Sequence, residues 1–180
     1  MKNSVESLLE GDHESLSELL TELDLALTDV NLSRSFELLD LFWVRLAVHI
    51  RAENLHLFPA LANAPPSLFT GKDSLPTPDA AQKILEHLRA DHNFFMKELA
   101  EMVRVMRDMT ADQRANSEEV DDLRKRLMTI TSRLEAHNQL EETQAYGWVG
   151  LLFDAQTIAD LGKRIQHELE NLPPRLTSTS

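Results

Sequence analysis

The chain has 180 residues, 42% of them hydrophobic and 27% charged, with a formal charge of -12 and no cysteine. That length buries a real core as one domain, while the acidic balance argues against nucleic acid or an anionic membrane surface as partner. Without cysteine there are no disulfides, thiolate zinc sites or cysteine-held iron–sulfur clusters, so a metal here is held by nitrogen and oxygen. Five glycines and seven prolines are few, which suits a helical protein with little need of tight turns. The first residues lack an apolar core of signal-peptide length, and no apolar run of roughly 18 residues occurs. A cytoplasmic protein is expected.

Residues 3–27 place Val5, Leu8, Leu9, Leu16, Leu19, Leu20, Leu23 and Leu27 at helical intervals, predicting an amphipathic first helix. His13 shares the stripe of Leu9, Leu16 and Leu20 and so faces the core. A turn over residues 28–34 offers Asp29, Asn31 and Ser33 as caps. The second helix, about 34–58, carries Phe36, Leu39, Phe42, Trp43, Leu46 and Ile50. Phe42, Leu46, His49 and Glu53 continue one stripe towards the core. The helix ends near Pro59 or shortly after, Ala64-Pro65-Pro66 rules out regular helix there, and a Pro-, Ser- and Thr-rich loop covers residues 62–77.

Thr77-Pro78-Asp79 opens a third helix, about 78–109, with a capping hydroxyl and a proline in the first turn. Phe94, Phe95, Met96, Met102 and Met106 are read mainly as its packing residues. Thr110 to Gln113 has the pattern of a capping box. A fourth helix, about 112–146, has a second start signal at Ser117, and Gly147 and Gly150 are expected to end it. A fifth, shorter helix covers 155–171, and a frayed tail follows. These elements predict an all-α fold: an antiparallel up-down four-helix bundle over 1–153, then a C-terminal helix and flexible tail over 154–180.

Within this pattern one unit occurs twice. Asp12-His13 precedes His49-x-x-x-Glu53, and Asp91-His92 precedes His137-x-x-x-Glu141. A histidine and a glutamate four apart on a helix lie about 40° apart around the axis and about 6 Å along it, so both reach one point. The histidines are separated by 79 residues (13 to 92) and by 88 (49 to 137), the glutamates also by 88. A duplicated pair of helices therefore surrounds an approximate two-fold axis. Each half supplies two imidazoles and one carboxylate, a donor set suited to iron, manganese or zinc and open to a further ligand. Glu53 and Glu141 are the natural bridges, since a carboxylate can give one oxygen to each ion. Asp12 and Asp91 point about 100° away from their histidines, outside the ligand set.

This doubled pattern, with Leu57-Phe58-Pro59 after the first half and Glu142 beside Glu141, resembles the hemerythrin-like (HHE cation-binding) family over about residues 6–146. The resemblance implies a four-helix bundle with a non-haem di-iron centre, bridged by an oxo or hydroxo group and two carboxylates. It carries the ligand role to His13, His49, Glu53, His92, His137 and Glu141. The chain departs from oxygen-carrying members, which have a His-x-x-x-His pair in the third helix where this one has Leu88. His87 fits the shared face poorly, and Asn54 replaces a second glutamate common in relatives. His56, seven residues after His49, falls on the stripe and joins the candidate metal residues.

The expected function is a di-iron protein that binds or reacts with dioxygen, peroxide or nitric oxide. The alternatives are a di-iron oxidase, peroxidase or nitric oxide reductase, or a non-redox bundle holding zinc or manganese. An enzyme would need an electron route, and a sensor would need an output domain for which 180 residues leave no room. Tyr146, five residues after Glu141, is read as a boundary residue, with a hydrogen bond near the centre as the alternative. Leu151, Leu152 and Phe153 are read as packing on the fifth helix or on a second copy in a homodimer. His167 is expected in solvent.

Overall fold

The computed structural model describes residues 4–69, 74–111 and 117–173, and among these every regular element is helical. Helix α1 spans Ser4–Thr28. Helix α2 comprises Leu32–Ala52, a π-helical turn at Glu53–Leu57 and an α-helical end at Phe58–Ala62. Helix α3 is Pro78–Ala111. Helix α4 repeats the design of α2, with Ser117–Leu140, a π turn at Glu141–Ala145 and an end at Tyr146–Leu152. Helix α5 is Ala155–Glu170. Contacts run α1 to α2, α2 to α3, α3 to α4 and α4 back to α1, closing a ring of four, while α5 lies against α1 and α2.

Local chemistry sets most of the boundaries. Asn31 caps α2 by accepting the Arg34 N–H, and Asp154 caps α5 by accepting that of Thr157. The Thr77 hydroxyl accepts the Ala80 N–H at the start of α3, as its sequence predicts. Thr110 and Ala111 lie inside α3, and residues 112 and 113 of the proposed capping box fall outside the described residues. So do most of the C-terminal tail and residues 70–73 of the Pro-rich loop.

One expectation needs correction. The glycines do not end α4, which runs through Gly147 and Gly150 to Leu152. A helical glycine costs about 1 kcal/mol relative to alanine, and burial of Tyr146, Trp148, Val149 and Leu152 on one side of this segment outweighs that. Helix α2 ends at Ala62, shortly after Pro59 and before Ala64-Pro65-Pro66, as its sequence leads one to expect.

The core is in two parts. One cluster gathers Leu16 to Leu27, Leu38 to Ile50, Phe95 to Met109 and Val120 to Leu134. The other gathers Val5, Leu9, Leu57, Phe58, Leu85, Leu88, Tyr146, Val149, and Leu161 and Ile165 of α5. On each of the four long helices the histidine of the doubled unit stands between a residue of one cluster and a residue of the other. At Gly162 α5 comes close to α1: an added Cβ would lie 3.0 Å from the Ser4 hydroxyl. No described helix is long and apolar enough to cross a membrane.

Candidate metal centre

Between the two apolar clusters lies a fully buried polar layer. His13, His49, His92 and His137 come from four different helices, and Glu53 and Glu141 open the two π turns. Their donor atoms converge in two groups. Glu53, His92, His137 and Glu141 form one, and His13, His49 and Glu141 form the other, with all donor atoms of a group within 4.8 Å of one another. Glu141 belongs to both.

The orientation of the rings explains why the groups face inward. His49 Nδ1 lies 2.9 Å from Asp12 Oδ2, and His137 Nδ1 lies 3.3 Å from Asp91 Oδ2. His13 Nδ1 lies 2.8 Å from Glu142 Oε1. Each carboxylate accepts the Nδ1–H and so leaves Nε2 as a lone pair aimed at the centre. The aspartates are held in turn by arginines, Arg45 to Asp12 and Arg133 to Asp91, both at 2.6 Å. Each arginine precedes its histidine by four residues on the same helix.

The inward Nε2 atoms approach each other closely, 3.1 Å for His13 and His49 and 3.1 Å for His92 and His137. Two donors at right angles on one ion, each about 2.1 Å away, would stand about 3.0 Å apart. Glu141 Oε1 is 3.1 Å from His137 Nε2, and Glu53 Oε2 is 3.2 Å from His92 Nε2. Neither oxygen accepts a hydrogen bond, although both are buried. Such orphaned carboxylate oxygens beside converging imidazole nitrogens are costly without a cation between them. The residues present therefore fit a metal.

The electrostatics agree. Burial alone would lower the His49 pKa, but Glu53 and Asp12 raise it to about 10. Burial likewise opposes His92, which Glu141 and Glu53 raise to about 9. Burial and the Glu141 charge push Glu53 up, yet His49 and His92 outweigh them and hold it at about 2. Burial also opposes ionisation of Glu141, which His137, His13 and His92 keep well below the usual carboxylate range. Without metal, the layer draws in protons as its positive charge.

A sequence model of the family described as Hemerythrin HHE cation binding domain matches residues 4–149. The chain belongs to the hemerythrin family. No curated protein and no solved structure gives a significant match.

In this hemerythrin domain the six residues of the doubled unit come together. His56 does not join them: it is half-buried, with Nε2 3.6 Å from Glu168 Oε2 of α5. The seven-residue spacing that puts it on the stripe holds only for a regular helix, and the π turn that contains it rotates the following residues by about 100°. His87 is exposed, 3.7 Å from Asp91 Oδ2. His167 is exposed, as expected.

The same π geometry reverses the boundary reading of Tyr146. Five residues is about 140° off register in an α-helix, but in the π turn the Tyr146 N–H bonds the Glu141 carbonyl and the side chain returns to the same face. Tyr146 is fully buried, its hydroxyl 2.7 Å from Glu53 Oε1, 3.1 Å from His13 Nε2 and 3.2 Å from Glu141 Oε2. Burial, then Glu141 and Glu53, push its pKa well above 10. The equivalent residue of the first half, five after Glu53, is Phe58, stacked on His92 at 5.4 Å. The arginines at minus four and the aromatics at plus five are repeated in the sequence as plainly as the ligands; comparing the two halves residue by residue reveals them.

Proposed function

We propose that this protein is a non-haem di-iron protein whose centre binds or reacts with dioxygen, peroxide or nitric oxide. The observation that carries the reading is Glu141, a fully buried carboxylate shared by two groups of inward-facing donors. In this reading His13 and His49 would hold one ion, His92, His137 and Glu53 the other, with Glu141 shared between the two groups. Iron, when bound, would supply the redox chemistry and the open coordination position. Zinc or manganese would also suit these imidazole and carboxylate donors.

The surrounding residues have separate tasks. Asp12, Asp91 and Glu142 hold three imidazoles in the tautomer that presents Nε2. Arg45 and Arg133 hold the two aspartates. Phe58 and Phe95 pack on His92 and His137, and the apolar clusters on either side exclude water. The four long helices are taken as an antiparallel up-down bundle ending near residue 153, with α5 as a separate terminal helix.

Loading the protein with ferrous iron and exposing it in turn to dioxygen, peroxide and nitric oxide tests the reading. A distinct optical spectrum with at least one of the three is expected. Steady-state consumption of peroxide or nitric oxide would make it an enzyme. No response to any of them would contradict the proposal.

A further inference from the structure

The two donor groups are unequal. The group around His92 and His137 has four protein residues, with Glu53 Oε2 3.2 Å from His92 Nε2 and 3.5 Å from His49 Nε2, whereas the group around His13 and His49 has three. Glu53 Oε1 faces the other way and meets the Tyr146 hydroxyl at 2.7 Å. That hydroxyl stands 3.1 Å from His13 Nε2 and 3.2 Å from Glu141 Oε2. These fall among the separations of the histidine and glutamate donors themselves, 3.1 to 3.8 Å. One hydroxyl proton can go to only one of these three neighbours at a time, whereas a cation held by His13 and Glu141 would account for both of those approaches together.

We propose that the Tyr146 oxygen is the fourth protein donor to the ion held by His13, His49 and Glu141, so that the two metal positions differ chemically. In the first half of the repeat the matching position is Phe58, which has no oxygen and covers His92 with its ring face. The duplicated scaffold thus carries a phenol on one side only. Coordination releases the phenolic proton to solvent, as metal binding does for any protonated ligand, and the bound cation reverses the effect of the two carboxylates on the phenol. The proposal rests on the two-ion reading above.

Ferric-loaded protein, wild type and Tyr146→Phe, decides it by visible absorption and resonance Raman spectroscopy, with iron counted per chain. The expected result is an intense phenolate-to-iron charge-transfer band with enhanced tyrosinate vibrations in the wild type. In Tyr146→Phe both disappear while two irons remain. In ferrous titrations of the variant, one of the two binding steps weakens by about tenfold or more and the other is unchanged. Two irons without tyrosinate vibrations in the wild type would overturn this proposal alone, with no variant required. An unchanged band in Tyr146→Phe would do the same. Failure of the wild type to take up a second iron would overturn the two-ion reading with it.

Discussion

Asp12 and Asp91 show how much of this centre depends on residues that touch no donor group's interior. Each accepts an imidazole N–H from the neighbouring helix and is held by an arginine. Replacing such an outer partner typically lowers metal affinity about 10- to 100-fold. Asp12→Asn is therefore expected to weaken the His13 and His49 position, and Asp91→Asn the His92 and His137 position, in competition titrations with a chelator. Equal loss at both positions in either variant would contradict separate tasks. The six donor candidates are legible in the sequence, because intervals of four put His49 with Glu53 and His137 with Glu141 on one face, and the apolar stripe and the repeat add His13 and His92. Arg45 and Arg133 escaped notice because an arginine on a helix is ordinarily a solvated surface residue; only the repeat marks these two. His56 and Tyr146 were misread together, for one reason that lies in the helix and not in the side chains.

That reason is the π turn after each glutamate. It inserts one residue into the helix, turning His56 away and bringing Phe58 and Tyr146 onto the site. Apolar periodicity cannot reveal it, since a single added residue resembles ordinary scatter in the pattern. Deleting Gln144 would convert the second π turn to regular helix and rotate Tyr146, Trp148, Val149 and Leu152 by about 100°. A lower melting temperature together with loss of metal uptake is expected; unchanged uptake would mean that the turn has no part in the site. The α1–α2 connection carries a different strain. Val30 has φ 54°, with the Asn31 N–H bonding the Ala26 carbonyl and its own N–H that of Leu27. This is the helix-ending turn that glycine normally occupies. A β-branched residue there costs about 1–2 kcal/mol, so Val30→Gly is expected to stabilise the protein by roughly 0.5–1 kcal/mol after the added chain entropy. A denaturant midpoint measures it.

For the molecule as a whole, the all-helical class and the doubled arrangement could be read from the sequence, because both rest on periodicity. The division of the core into two apolar clusters around a buried polar layer needed the fold, since it depends on which faces meet. That division makes stability and metal binding one property. Buried carboxylates and imidazoles without a cation between them are destabilising, and a ligand that binds only the folded chain at 100 times its Kd adds about 2.7 kcal/mol. Removing metal is expected to lower the melting temperature by several degrees, and re-adding ferrous iron to restore it, as a scan with and without chelator would show. The most direct test of the shared-carboxylate centre is the metal stoichiometry of the wild type and Glu141→Ala after reconstitution with ferrous iron. Two irons per wild-type chain are expected, with a near-ultraviolet oxo-bridge band that bleaches on reduction. In Glu141→Ala one iron or none is expected, without that band. Two irons in the variant, or none in the wild type, would contradict the shared-carboxylate centre.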